Sequence, residues 1–189
     1  REKGPFSTKV NLGARPQEIE GQPFKFRTGP QYKLADPLLD YDQMTALYST
    51  DKRHNPTRKT ISTVYSNQSL RSCEKRIKEI KREVLRSAKE KKHAIIVLSD
   101  RKVTGNGDGY IPPHILVAYL SRELDKEGLS SGVSLVVDTG EVLDQHEFNT
   151  LISCGAKAVH PRLIYEQINS GKIKGRNKSV ENLETNLRE

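Results

Sequence analysis

The sequence predicts an α/β fold of parallel strand-loop-helix units, on three observations. Ala94–Leu98 is an unbroken run of five apolar residues, closed at once by Ser99-Asp100-Arg101. The same grammar recurs in Val133–Glu141 and again in Ala156–Arg162. Between these runs lie segments whose apolar residues repeat with helical spacing. A short apolar run bounded by polar groups fits a strand buried on both faces, as in a parallel sheet. Polar groups just past the carboxyl end of such a strand sit where α/β folds meet ligands or neighbouring domains.

Taken in order, residues 1–35 are rich in Gly, Pro and polar groups and read as an irregular N-terminal arm. Phe6, Val10 and Leu12 alternate, so a short strand is expected around Ser7–Leu12, and Gly13-Ala14-Arg15-Pro16 reads as a turn. With few apolar residues, the arm is expected to be loosely held. The α/β domain proper is expected over residues 36–170. Asp40 is a helix N-cap, with Gln43 completing a capping box and Met44, Leu47 and Tyr48 as the apolar stripe. Thr60–Tyr65, rich in β-branched residues, is expected to be a strand. Asn67–Lys92 reads as one long helix, its apolar side formed by Leu70, Ile77, Ile80, Val84, Leu85 and Ala88.

After the central strand, Gly105-Asn106-Gly107-Asp108-Gly109 is a G-x-G-x-G run. It lies too far past the strand to gather phosphate-binding N–H groups, and Tyr110-Ile111-Pro112 intervenes before the next helix. It reads as a surface loop. Pro112-Pro113 opens a helix, since its first N–H groups need no partner, and Gly128 closes it. Its apolar side is expected at Ile115, Leu116, Ala118, Tyr119 and Leu124. Val133–Val137 is the next buried strand, Asp144–Ile152 a short helix, Gly155–Val159 a strand, and Leu163–Ile168 the last helix. Residues 171–189 form a polar C-terminal tail.

The 189 residues carry a net charge of +8, with 30% charged residues. Arg71–Lys92 holds ten Lys/Arg against four Glu. Both signs are interspersed at helical spacing and no aromatic residue interrupts them, which reads as a solvated face and not a nucleic-acid surface. No apolar run approaches a membrane span and no secretory signal precedes the chain, which points to a cytoplasmic protein. Cys73 and Cys154 lack metal-ligand spacing and read as reduced thiols.

The candidate site is the rim of strand ends: Ser99, Asp100, Arg101, Asp138, Thr139, Gly140, Glu141, His146 and His160. If the strands are parallel neighbours, these groups converge. Asp, Glu and His together could bind a divalent metal or move protons. However, the chain lacks H-E-x-x-H spacing and an obvious nucleophile. That favours a structural role, in which these groups cap helices and pair with Arg101 or Arg162. No catalytic, cofactor-binding or metal-ligating residue is therefore assigned.

An ordered set of motifs spans nearly the whole chain: Leu12–Pro16, Asp36–Leu39, Leu98–Arg101, Ile111–Pro113, Glu127–Leu129, Leu135–Glu141, His146–Phe148 and Gly155–Pro161. The set resembles the central domain of the large subunit of glutamate synthase. Departures from the family pattern are Ser121-Arg122-Glu123 in place of three histidines, Asp138 in place of Glu, His160 in place of Asn, and Glu147 in place of a second His. The resemblance implies a rudimentary or partial TIM barrel, excised from a longer enzyme. That parent would make glutamate from glutamine and 2-oxoglutarate, passing ammonia from an amidotransferase domain to a domain with FMN and an iron–sulfur cluster. The central segment itself would hold no cofactor and be inactive alone. Its partners would be those two domains of the same subunit, with no nucleic acid and no membrane. The alternative is a stand-alone regulatory or binding module taking a small anionic ligand at the rim.

Overall fold

The computed structural model describes residues 9–14, 17–19, 22–27, 31–48, 57–90, 94–105 and 107–170. The centre is a sheet of four parallel strands: β5 (Arg58–Ser62), β7 (Ile95–Ser99), β9 (Ser134–Thr139) and β10 (Ala158–Pro161). Each strand pairs with the next in sequence, in the spatial order β5-β7-β9-β10. Helices α2 (Leu70–Lys89), α3 (Pro113–Lys126) and α4 (Gln145–Ser153) alternate with the strands, and α5 (Arg162–Asn169) follows β10. Sequential parallel strands joined through helices are the repeat of a (β/α) barrel, here present in part.

Strand periodicity divides the core in two. Ile96, Leu98, Leu135, Val137 and Val159 face Ile80, Val84, Leu116, Val117, Leu120, Phe148 and Leu151 of the helices. Ile95, Val97, Val136 and Ala158 point the other way. In a closed barrel that second face would look onto more strands. Here it is covered by Leu12, Leu34, Leu39, Met44 and Leu47. Those five come from β1 (Val10–Leu12), β4 (Tyr32–Leu34), the segment after it and α1 (Tyr41–Tyr48), with β1 and β4 paired antiparallel. Double coverage is why β7 and β9 are buried along their whole length and read as continuous apolar runs.

The arm is thus anchored around β1 and β4, contrary to the expectation of loose attachment. Leu12 and Leu34 are buried, and Gly13 exchanges two hydrogen bonds with the Ser134 hydroxyl, at 3.0 and 3.1 Å. Farther along, β2 (Gln17–Ile19) and β3 (Gln22–Arg27) form their own antiparallel pair. The expected strand at Ser7–Leu12 is seen from Val10 on; Lys9 is not part of it, and Ser7 and Thr8, like the polar tail 171–189, lie outside the described residues.

Local signals placed most ends correctly. Asp40 and Gln43 form the reciprocal capping box of α1, at 2.7 and 3.0 Å. Asp144 caps α4 by accepting from the Glu147 N–H. Gly128, with φ +65°, ends α3 in a Schellman turn: its N–H reaches Asp125 O and that of Leu129 reaches Leu124 O. Four expectations change. Thr60–Tyr65 is not one strand. Beyond Thr63, bonded to Ser99 O, the chain leaves the sheet and β6 (Val64–Ser66) pairs with β8 (Asp108–Tyr110), at the end of the glycine loop. α2 starts three residues late, because Asn67 and Gln68 take positive φ and Ser69 becomes the N-cap. Leu70 is consequently 85% exposed. On α3, Ile115 is 55% exposed, while Val117 and Leu120 join Leu116 and Leu124 inside. Finally, β10 runs on through His160 and Pro161, past the expected strand end at Val159.

Replacement of Leu12 by Ala is expected to destabilise the domain by about 2–5 kcal/mol, since it empties a packed site under the sheet. Leu70→Ala is expected to shift stability by less than about 0.5 kcal/mol. Urea unfolding of the two variants checks the pair.

Candidate functional site

Register brings four polar side chains into one row at the carboxyl end of the sheet: Ser62 opposite Ser99, Ser99 opposite Asp138, and Asp138 opposite His160. Ser99, Asp138 and His160 continue the face that carries Ile95, Val97, Val136 and Ala158. They form the polar top layer of the arm-covered core.

Asp138 is fully buried. Its Oδ2 accepts from the Tyr48 hydroxyl at 2.8 Å, the Ser99 hydroxyl at 3.0 Å and Arg101 Nε at 2.6 Å, and its Oδ1 accepts from Arg101 Nη2 at 3.2 Å. The ion pair is bidentate, the geometry in which a guanidinium best replaces the water a carboxylate loses. Tyr48 also lies under the Arg101 guanidinium, 5.8 Å from its ring centre. Burial, then the charge of Asp138 and the bond to it, raises the Tyr48 pKa well above the ordinary tyrosine range.

A second carboxylate sits one residue past β7. Asp100 Oδ2 accepts from the Thr139 hydroxyl at 2.7 Å and the Gly140 N–H at 2.9 Å, and its Oδ1 accepts from Arg162 Nη2 at 2.7 Å. Arg162 also reaches Glu166. Each carboxylate thus holds one arginine and ties the end of β7 to β9, and Asp100 adds the start of α5.

His160, at zero exposure, bonds Leu39 O through Nδ1 at 2.8 Å and stacks on Tyr165. A carbonyl only accepts, so Nδ1 carries the proton. Nε2 is buried without a hydrogen-bond partner. Burial lowers the His160 pKa, aided by Arg101 and Arg162 and opposed by the Leu39 bond and by Asp138. The ring is therefore held neutral.

Of the expected rim residues, Ser99, Asp100, Arg101, Asp138, Thr139, Gly140 and His160 come together. Glu141 stands at the margin, where its carboxylate meets Tyr110. His146 does not join them. It lies exposed on the first turn of α4, beside a pocket of about 380 Å³ lined also by Pro113, His114, Glu141 and Glu147. Among the described residues, no group of three or more His, Cys, Asp or Glu side chains could hold a metal ion. Sequence reasoning missed Tyr48, which was read as part of an apolar stripe. Its hydroxyl meets a carboxylate 90 residues away, and nothing local signals that. The chemistry of the row is cohesion: each anion is saturated by donors from two or three separate segments.

Fold and rim define a partial (β/α) barrel domain whose strand-end polar groups are closed on one another. Residues 1–189 match the family "Glutamate synthase central domain", and the chain belongs to that family. It is similar to the glutamate synthase [NADPH] large chain of Bacillus subtilis, 27% identical over 177 residues, which is 92% of this chain and 11% of that one. It is similar also to the chloroplastic ferredoxin-dependent glutamate synthase of Oryza sativa, 30% identical over 178 residues, 93% of this chain and 10% of that one. The chain spans about a tenth of the length of these relatives. Among solved structures, the flavin-binding domain of baker's yeast flavocytochrome b2 overlaps with 80% of this chain and 34% of its own, at TM-score 0.46 and 21% identity. Among the described residues, no helix is long and apolar enough to cross a membrane.

Asp138→Ala strands Arg101 and Tyr48 without their acceptor and is expected to cost about 3–5 kcal/mol in urea unfolding. His160 sets an acid limb. Its neutral form is favoured in the fold, so its contribution is complete above the unfolded value of 6.5 and is lost as pH falls below it. Replacing it with Asn, the residue usual in the family pattern, keeps a donor for Leu39 O and is expected to flatten that limb. Urea midpoints at mildly acid and neutral pH read the difference.

Proposed function

We propose that this domain is the rigid spacer of a glutamate synthase large chain. In this reading it seats the amidotransferase and FMN-binding domains against its rim and so frames the ammonia path between them. The observation that carries the reading is the contrast at the rim. The charged groups are paired with one another, whereas large side chains around them face outward: Val103 after β7, Tyr110 on β8, Leu143 after β9 and Leu163 at the start of α5. Exposed apolar groups gathered at one end of a fold mark a surface made to be covered. Family membership supplies candidates, because the relatives continue for roughly nine-tenths of their length outside the matched segment.

The rim suits docking better than capture of a small anion. Its two central arginines are already committed to Asp138 and Asp100. The strand-end mouth, where a (β/α) barrel seats its ligands, is closed by Tyr48, Arg101, Asp138 and His160 over an inner face filled by Leu12, Leu34, Leu39, Met44 and Leu47. These residues do not fit a flavin, whose phosphate needs free cations or N–H groups. In the proposed arrangement FMN and the iron–sulfur cluster therefore sit in another domain of the parent.

The test uses the complete enzyme. Leu143→Asp combined with Leu163→Asp is expected to leave glutamine hydrolysis running while glutamate formed from 2-oxoglutarate falls at least about tenfold per glutamine consumed, the sign of a loosened interface. Unchanged coupling would overturn the reading. The domain alone is expected to show neither activity, and either one appearing in it would count equally against the proposal.

A further inference from the structure

The mixed charges of α2 separate in three dimensions. Its interior acids turn to the flanks, where Glu79 pairs with Arg76 at 3.0 Å and Glu83 with Lys59 of β5 at 2.8 Å. On the side toward α3, Lys81 meets Glu123 and Lys89 meets Glu127. Two lysines hold Glu123, first Lys126 and then Lys81, and lower its pKa to about 2. The outer edge keeps Arg71, Lys75, Lys78, Arg82 and Arg86, all exposed. Among the described residues none of these five forms an ion pair, and Glu74 and Glu90 are acids exposed beside them. Spaced three or four residues apart, they stand in single file over about 22 Å. Ile80, Val84 and Ala88 pin the opposite edge in the core, so the file cannot rotate away.

This arrangement costs the free domain energy. Like charges one turn apart repel. Arg71 also stands in the first turn, at the positive end of the helix dipole, with no acidic residue there to offset it. An acidic partner would relieve both.

We infer that this ridge docks an acidic polypeptide segment whose carboxylates recur once per helical turn. A nucleic acid fits less well. Glu79 and Glu83 line the groove beside Arg82 and Arg86, and Glu74 lines the one beside Arg71, Lys75 and Lys78, so a ligand whose anions keep to one line fits better than one whose charge spreads to either side. The helix itself carries no aromatic residue for base stacking, and a ring beside it, Tyr65 of β6, borders Lys75 at one end of the file alone. The ridge lies on the outer face of the helix layer, and the inference does not depend on the rim.

The experiment titrates the whole chain against a fluorescein-labelled helical peptide of about 20 residues with Glu at every third or fourth position, a length that spans the file. A single-stranded oligonucleotide of equal charge is titrated in parallel. The peptide is expected to bind at low salt, to weaken at least about tenfold at physiological salt, and to bind more tightly than the oligonucleotide. The triple variant Arg71→Glu, Lys78→Glu, Arg82→Glu is expected to lose about a hundredfold in affinity with an unchanged circular dichroism spectrum. If that spectrum changes, Lys78→Gln with Arg82→Gln replaces it, with about a tenfold loss expected. No binding, binding that survives the substitutions, or an oligonucleotide bound as tightly as the peptide each overturns the inference.

Discussion

A charged carboxylate at zero exposure is the constraint on which this domain turns. Asp138 ends a strand covered on both faces, and an ion in that position is costly unless every lone pair is met. Arg101 and Ser99 come from the neighbouring strand end. The remaining donor is the Tyr48 hydroxyl, supplied by a helix that precedes the sheet in the chain. Satisfying the charge therefore requires α1 to dock. Docking α1 in turn brings Met44 and Leu47 down on Val97 and Val136 and closes the inner face.

The same logic repeats at smaller scale around the rim. Asp100 gathers Thr139, Gly140 and Arg162, and His160 fastens the Leu39 carbonyl. At the opposite end of β9, Ser134 holds Gly13. The N-terminal segments are thus fastened above and below a belt of leucines, in a place where a complete barrel would have further strands. The outcome is a partial barrel that stands without the rest of the circle, and whose interior is spent on its own stability.

That economy bears on function. A rim of convergent Asp, His and Arg side chains has the composition of an active site, and composition alone does not separate catalysis from cohesion. The difference lies in saturation. The carboxylates and guanidinium groups here answer one another, while among the described residues His160 Nε2 and Arg162 Nε stay buried without a partner, and the groups left facing outward are large and largely apolar. Such a surface suits the docking role proposed for the domain better than it suits chemistry of its own.

The run Ala94–Leu98, the capping box at Asp40 and the helix-ending glycine Gly128 were legible in the sequence, since each depends on neighbours within a few residues. The rim was legible as a set because strands in a parallel repeat end at the same level. The sequence also carried the ordered motifs by which the family was recognised. Three things needed the tertiary structure. Leu12 and Leu34 look like stray apolar residues in a polar arm until the open face of the sheet is seen. Tyr48 looks like part of a stripe until its hydroxyl meets Asp138. The charges of α2 look balanced until Arg76, Lys59 and the α3 acids show which of them are neutralised. In each case the deciding contact joins segments whose order in the chain says nothing of their distance in space. Local propensity and period determined the elements, whereas burial of charge and apolar area between distant segments decided how they close.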